Sequence, residues 1–204
     1  MYTPPAFAAT DLVQLDALLQ AHPFVTLVTV GADGAPFASH LPVLHRREGA
    51  RVLVEGHWAR PNPQARHDGP ALMIVHGPQA YVSPAWYPDK EAAARVPTWN
   101  YAVAHLSGTL QPFEDEPALA SLVDRMSRRF EAEAGQSWRY EHDREDHRRQ
   151  LRGIIGFRFE PAQVAMKFKL NQNHPAANRA AVAEQLERSG RPGDAAVAAL
   201  MRAH

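Results

Sequence analysis

The chain has 204 residues, 45% of them hydrophobic; it can bury a real core, and one domain over residues 1–204 with added helices fits the length better than two full domains. Lys plus Arg and Asp plus Glu both number 22 and there is no cysteine, so no net field draws nucleic acid or membrane, and disulfide and thiolate chemistry are excluded. The opening Met1-Tyr2-Thr3-Pro4-Pro5 has no basic region followed by an apolar run, and no segment approaches the roughly 20 apolar residues of a membrane span, so the expected location is cytoplasmic.

Asp11 to Ala21 reads as the first helix, with Leu12, Leu15, Leu18 and Leu19 on one face and Asp11 with Gln14 as a capping pair. Phe24–Val30 is rich in β-formers, and Gly31-Ala32-Asp33-Gly34 supplies a turn before a second extended run, Pro36 to Leu44. Arg51–His57 and Ala71–Gly77 are the third and fourth strands, separated by a proline-rich stretch from Trp58 to Gln64. Two aromatic clusters follow, Tyr81–Tyr87 and Val96–Tyr101, and they open on either a β-core or a pocket for a ring-shaped ligand. Tyr101 to Gln111 makes a fifth strand in which Gly108 marks a bend or a close backbone approach.

From Glu114 the period becomes helical. Pro117 suits a first turn, and Leu119, Leu122, Val123, Met126 and Phe130 form an apolar stripe. Arg139 to Arg152 is almost wholly charged and reads as a solvated connector; the spacing of His142 and His147 does not put both on one helical face, a poor metal pair. Strand character returns at Ile154–Phe159 and again at Val164–Leu170, and an alanine-rich helical tail runs from 176 to 204, broken at Ser189-Gly190. The expected fold class is α+β: a small, mostly antiparallel β-barrel with peripheral helices, a helical insertion over 115–150 and a helical tail.

No Gly-rich phosphate loop with its lysine occurs, Ser83-Pro84 and Ser107-Gly108 lack the context of a hydrolase nucleophile, and no histidines pair at ligand spacing within a helix, so no metal site is expected. What remains is a set of polar residues at strand ends. Ser39 and His40 precede Leu41-Pro42 in the second strand, His57 ends the third, and Arg60, Asn62 and Gln64 follow; such groups suit a phosphate held by Arg60 and a polar ring held by strand backbone. Lys167 and Lys169 fall by period on the solvent face, next to Gln172 and Asn173.

Five segments carry a resemblance across nearly the whole chain: Met1–Phe7, Gly56–Gln64, Val75–Tyr87, Val96–Tyr101 and Lys167–Asn173. Together they resemble the PaiB-type FMN-binding negative transcriptional regulators. Asn171 and His174 depart from the pattern, standing where the family has Ser and Arg. The resemblance implies an FMN-binding split barrel related in fold to pyridoxamine-phosphate oxidase, and a homodimer with flavin at the subunit interface. By that analogy Ser39, His40, Leu41 and Pro42 line the ring edge of FMN, and His57, Arg60 and Asn62 take the phosphate with Gln64 beside them. Thr98, Trp99 and Asn100 close the site, with Thr98 and Asn100 facing the ligand, and Lys169 and Gln172 join it.

The implied function is repression of genes with a small ligand as the signal. Direct DNA contact would fall to the arginines between Pro117 and Arg152, where interspersed acids argue for a solvated face. The alternatives are an FMN-dependent oxidoreductase of the flavin reductase or pyridoxamine-phosphate oxidase kind, whose chemistry needs no catalytic side chain visible in sequence, and haem binding or haem breakdown on the same barrel with His57 or His76 as the ligand.

Overall fold

The structure, a computed structural model, describes residues 1–67 and 69–204. Its elements in chain order are β1 (Ala8–Ala9), α1 (Leu12–Ala21), β2 (Phe24–Val30), β3 (Pro36–Glu48), β4 (Arg51–Ala59), β5 (Pro70–Val82), β6 (Thr98–Phe113), α2 (Glu116–Glu133), α3 (Glu145–Gln150), β7 (Ile154–Lys169), α4 (Ala176–Arg188) and α5 (Asp194–Ala203). The seven strands form one sheet in the order β1-β7-β4-β3-β2-β5-β6, and β7 also pairs with β6, closing the order into a ring. The ring holds β2 to β7, and closing it pairs the long strands β6 and β7, which would otherwise leave an edge to template association, while the two-residue β1 lies outside it on β7.

The predicted β2, β3 and β4 are present, with β3 extended to Glu48. The two predicted strands at 154–159 and 164–170 are one continuous β7, and the seventh strand is instead the short β1, which pairs Ala8 with Lys167 and Ala9 with Met166. β7 stays continuous through Pro161 because Gly108 of β6 packs on it there. A Cβ on Gly108 would lie 2.8 Å from the Glu160 carbonyl oxygen and 3.1 Å from Pro161 Cα, so the close approach expected at this glycine is what the strand pairing needs.

Two compact units divide the chain: unit 1 is Met1–Leu15, His76–His105 and Ala165–His204, and unit 2 is Asp16–Val75 and Leu106–Val164. In unit 2, β2 alternates buried Val25, Leu27 and Thr29 with outward residues, and Trp58 of β4 packs on Phe157 of β7 with ring centroids 4.6 Å apart. The helix α2 starts at Asp115, whose carboxylate accepts from Ala118 N at 3.0 Å. It lays Leu122 and Met126 against Leu44 of β3. Each such side chain, once fully buried, contributes about 1.5–3 kcal/mol. The segment after α2 is less helical than expected, since only Glu145–Gln150 forms a helix; Tyr140 is buried there with the rings of His142 and His147 beside it, 6.2 and 5.8 Å away.

In unit 1, α4 and α5 bury Val182, Leu186, Val197 and Met201 and are tied by a two-point Arg202–Glu187 pair. Asp11 caps α1 as expected, accepting from Val13 N at 2.9 Å, while the Gln14 amide turns instead to His204.

Candidate functional site

The expected site residues fall into two groups, one in each unit. In unit 2 the proline-rich loop after β4 folds into a short 3-10 turn, Pro63–Arg66, capped by the Asn62 side chain, which accepts from Gln64 N at 3.0 Å. The prolines suit this path because a turn needs few backbone donors. Asn62 also donates to Ser39 Oγ at 3.0 Å. Gln64 is wholly buried: its carbonyl oxygen accepts from Trp58 Nε1 at 2.9 Å, and its amide nitrogen reaches the Leu27 carbonyl at 2.9 Å and the Phe37 carbonyl and Thr29 Oγ1 at 3.1 Å. These bonds lock the loop onto β2 and β3.

The strand β3 offers backbone groups beside that loop. Its ladder with β4 runs from Val43–Gly56 to Glu48–Arg51, so Pro36–Pro42 is laddered to β2 alone. This stretch contains Ser39, His40, Leu41 and Pro42; Ser39 is buried, Leu41 and Pro42 are half-buried, and exposed His40 shares a hydrogen with Thr26 Oγ1 at 3.1 Å.

The expected phosphate group of His57, Arg60 and Asn62 is not gathered in one cavity. Arg60 lines a cavity of about 500 Å³ with Arg66, Phe113, Glu114 and Ile155. Its guanidinium pairs with Glu114 and donates to the carbonyls of Arg152 and Ile154, which leaves two of the five N–H groups of an arginine for another acceptor. Arg66, which shares this cavity, was not among the residues expected from sequence; its signal was its place six residues after Arg60 in the same loop. His57 instead faces a cavity of about 250 Å³ with Val123, Trp138, Tyr140 and His147. Among the described residues its buried Nδ1 has no hydrogen-bond partner, and burial pushes the imidazole pKa below its ordinary value.

The second group lies in unit 1. Thr98 and Lys169 meet, the ammonium donating to Thr98 Oγ1 and, at 2.8 Å, to the Trp99 carbonyl. Trp99 is 51% exposed, whereas Asn100 is fully buried with its amide nitrogen 3.3 Å from Met201 Sδ, so the expected pairing of Thr98 with Asn100 splits between a cavity wall and the α5 packing. The Gln172 amide is spent on its own turn, accepting from Leu170 N and donating to the Phe168 carbonyl. Lys167 and Lys169 do not lie on a solvent face: Lys167 is buried and Lys169 half-buried.

The two family-departing positions have local reasons. Asn171 sits at φ 62°, a left-handed conformation that Asn tolerates better than most residues, and donates to the Tyr87 hydroxyl at 2.9 Å. His174 stacks on Tyr87 at 4.9 Å and 7°. Burial raises the Tyr87 hydroxyl pKa and is the first cause lowering that of His174, while the Arg95 guanidinium leads in holding Asp89 down at about 2.

Solved structures share this fold. The FAD and heme binding protein from Mycobacterium smegmatis superposes with a TM-score of 0.59 at 19% identity, covering 85% of this chain and 78% of that one. The flavocytochrome Anf3 from Azotobacter vinelandii gives 0.55 at 18% identity, over 79% of this chain and 69% of its own. The class is therefore the split β-barrel with α+β architecture. Protease synthase and sporulation protein PAI 2 of Bacillus subtilis (strain 168) is 30% identical over 215 residues, 98% of this chain and 96% of that protein. The family described as "Putative FMN-binding domain" matches residues 1–163, and the chain belongs to it, with FMN as the family's cofactor.

Proposed function

We propose that this protein is a PaiB-like regulator that holds FMN in unit 2, with the flavin phosphate at Arg60 and Arg66 and the ring edge along Ser39–Pro42. The observation that carries the reading is the Arg60–Arg66 cavity on a loop pinned to β3 through Asn62–Ser39 and Gln64–Phe37. Two guanidinium groups match a phosphate, the apolar walls of Phe113 and Ile155 suit a flat ring system, and the singly laddered β3 segment supplies main-chain donors and acceptors. When bound, FMN supplies one- and two-electron redox chemistry; the residues named here bind and orient it.

The same reading makes the protein a cytoplasmic homodimer. Among the described residues no helix is long and apolar enough to cross a membrane. Direct DNA contact through α2 and α3 is the weaker part of a regulator's role, because the arginines there are neutralised locally. Arg125 pairs with Glu55, Arg128 with Asp124, Arg129 with Glu133, Arg148 with Glu116 and Arg149 with Glu145. That neutralisation favours, as a second reading, an FMN-dependent oxidoreductase. Retention on promoter DNA with a steep salt slope would support the regulator; NAD(P)H oxidation with added FMN would support the enzyme.

The binding site itself is tested by titrating the chain with FMN and with riboflavin. Wild type should prefer FMN, and the Arg60→Ala, Arg66→Ala double variant should lose that preference, about 2–4 kcal/mol if each charge-assisted contact is worth 1–2. Glu114→Gln, which frees Arg60 from its carboxylate, should increase the preference. An unchanged FMN-to-riboflavin ratio in both variants removes the phosphate from this cavity.

A further inference from the structure

The lysines of β7 raise a separate question in unit 1. Lys167 Nζ donates to the Tyr2 carbonyl at 3.2 Å and sits over the rings of Tyr2 and Tyr101 at 5.6 and 5.4 Å. Lys169 Nζ is held by Thr98 Oγ1 and the Trp99 carbonyl. Every one of these partners is neutral, and among the described residues neither ammonium has a carboxylate within ion-pair distance. A charge withdrawn from water is costly unless it is paired, and here two like charges stand two residues apart on one strand face.

Lys169 also opens onto a cavity of about 290 Å³, lined by Tyr87, Arg95, Thr98, Asn171 and His174 among others. Asp89, whose charge is felt by Tyr87 and His174 of this wall, is already engaged by Arg95 and Asn178. Among the described residues the buried His174 Nδ1 has no hydrogen-bond partner. The cavity thus combines an ammonium without a counter-charge, a hydroxyl, the Arg95 side chain and an aromatic wall.

We propose that this cavity binds a small oxyanion, a carboxylate or phosphate group, with Lys169 as its charge partner and Thr98 Oγ1 beside it. The oxyanion neutralises the ammonium that the fold leaves unpaired, and any flat part of the same ligand lies against the Tyr87–His174 wall. The family resemblance grouped Thr98 and Lys169 with the flavin, whereas the proposed flavin phosphate site is at Arg60 and Arg66 of unit 2; the oxyanion here is argued from the surroundings of Lys169 alone, and a flavin phosphate found in this cavity would move that group away from Arg60 and Arg66.

Inorganic phosphate and benzoate, titrated into the full chain with tryptophan fluorescence as the readout, test it. Saturable binding of at least one of them is expected, weakened at least tenfold by Lys169→Gln, retained by Lys169→Arg and unaffected by Lys90→Gln on the exposed surface. Absence of saturable binding, or equal affinity in wild type and Lys169→Gln, overturns the proposal. If Lys169→Gln does not fold by circular dichroism, Thr98→Val replaces it, with a weaker but measurable loss expected and no loss counting against the site. Competition identifies the source of the anion. Displacement of phosphate by FMN but not riboflavin assigns the group to a flavin phosphate, and displacement by neither assigns it to a separate small ligand. Displacement by riboflavin as well puts an uncharged ring in the cavity and overturns the oxyanion.

Discussion

The loop of unit 2 and the lysine strand of unit 1 treat buried polarity in opposite ways. Around Gln64 every amide atom has a partner, all of them neutral, and the bonds tie the loop to β2, β3 and β4. Around Lys169 the partners are neutral but the group is charged, and its two hydrogen bonds leave its electrostatics unsettled. A saturated neutral network is architecture, because nothing is gained by adding a further partner. A withdrawn charge without a counter-charge gains from a ligand, so the contrast separates what supports the fold from what is built to bind.

The largest effect should come from breaking the saturated side. Gln64→Ala leaves Trp58 Nε1 and the carbonyls of Leu27 and Phe37 without their side-chain partner in a buried setting. With about 1–3 kcal/mol for each group left unsatisfied, and partial rescue by water, the expected loss is about 4 kcal/mol. Urea denaturation at constant m-value measures it. A loss under 1 kcal/mol would mean that the loop is not pinned by Gln64 and would dissolve the comparison.

A smaller loss is expected where backbone meets backbone. Gly108→Val places a branched Cβ against the Glu160 carbonyl and Pro161 Cα, atoms that cannot step aside like the end of a flexible side chain. The expected cost is about 2 kcal/mol or more, typical of overpacking, and thermal unfolding would detect it. An unaffected melting temperature would show that β6 and β7 can part here without cost.

This glycine also marks how far the sequence could be read. Its place within an extended run signalled a close approach, and local period and turn residues identified β2, β3, β4 and the α2 stripe. Ordered motifs carried the family, and through it the cofactor. What local pattern could not carry was long-range pairing. The run 154–159 finds its ladder on β4, from Ile154–Ala59 to Phe159–Val54, and the later part of the strand pairs with β1, so β7 continues through a proline that reads as a break. The two-residue period put Lys167 and Lys169 outside, but it knows nothing of Tyr2 and Tyr101, which cover one lysine, or of Thr98, which holds the other. Sequence reasoning singled out Arg60, which lines a cavity, but could not see Glu114, 54 positions away, which occupies part of its guanidinium.

The smallest effect expected is the most discriminating because its sign is reversed. Lys169→Met removes a charge that is withdrawn from water without a counter-ion, so in phosphate-free buffer it should stabilise the chain, by about 1 kcal/mol. Burial first, and then the like charge of Lys167, lowers the Lys169 pKa below its ordinary 10.5. Between the lowered folded value and 10.5 the unfolded chain binds more protons than the folded one, so wild-type stability rises with pH through that window. Below it the penalty is fully present. Lys167 and the Asp89–Arg95 pair stand in both chains, whereas the His174 imidazole is held down in part by Lys169 itself, so the difference between wild type and Lys169→Met is read from about pH 7.5 upward, about one unit above the ordinary imidazole value. The advantage of the methionine variant should therefore be greatest at neutral pH, shrink toward pH 10.5, and invert at neutral pH when phosphate is added. A methionine variant less stable than wild type in phosphate-free buffer would place Lys169 with Gln64 among the groups that hold the fold.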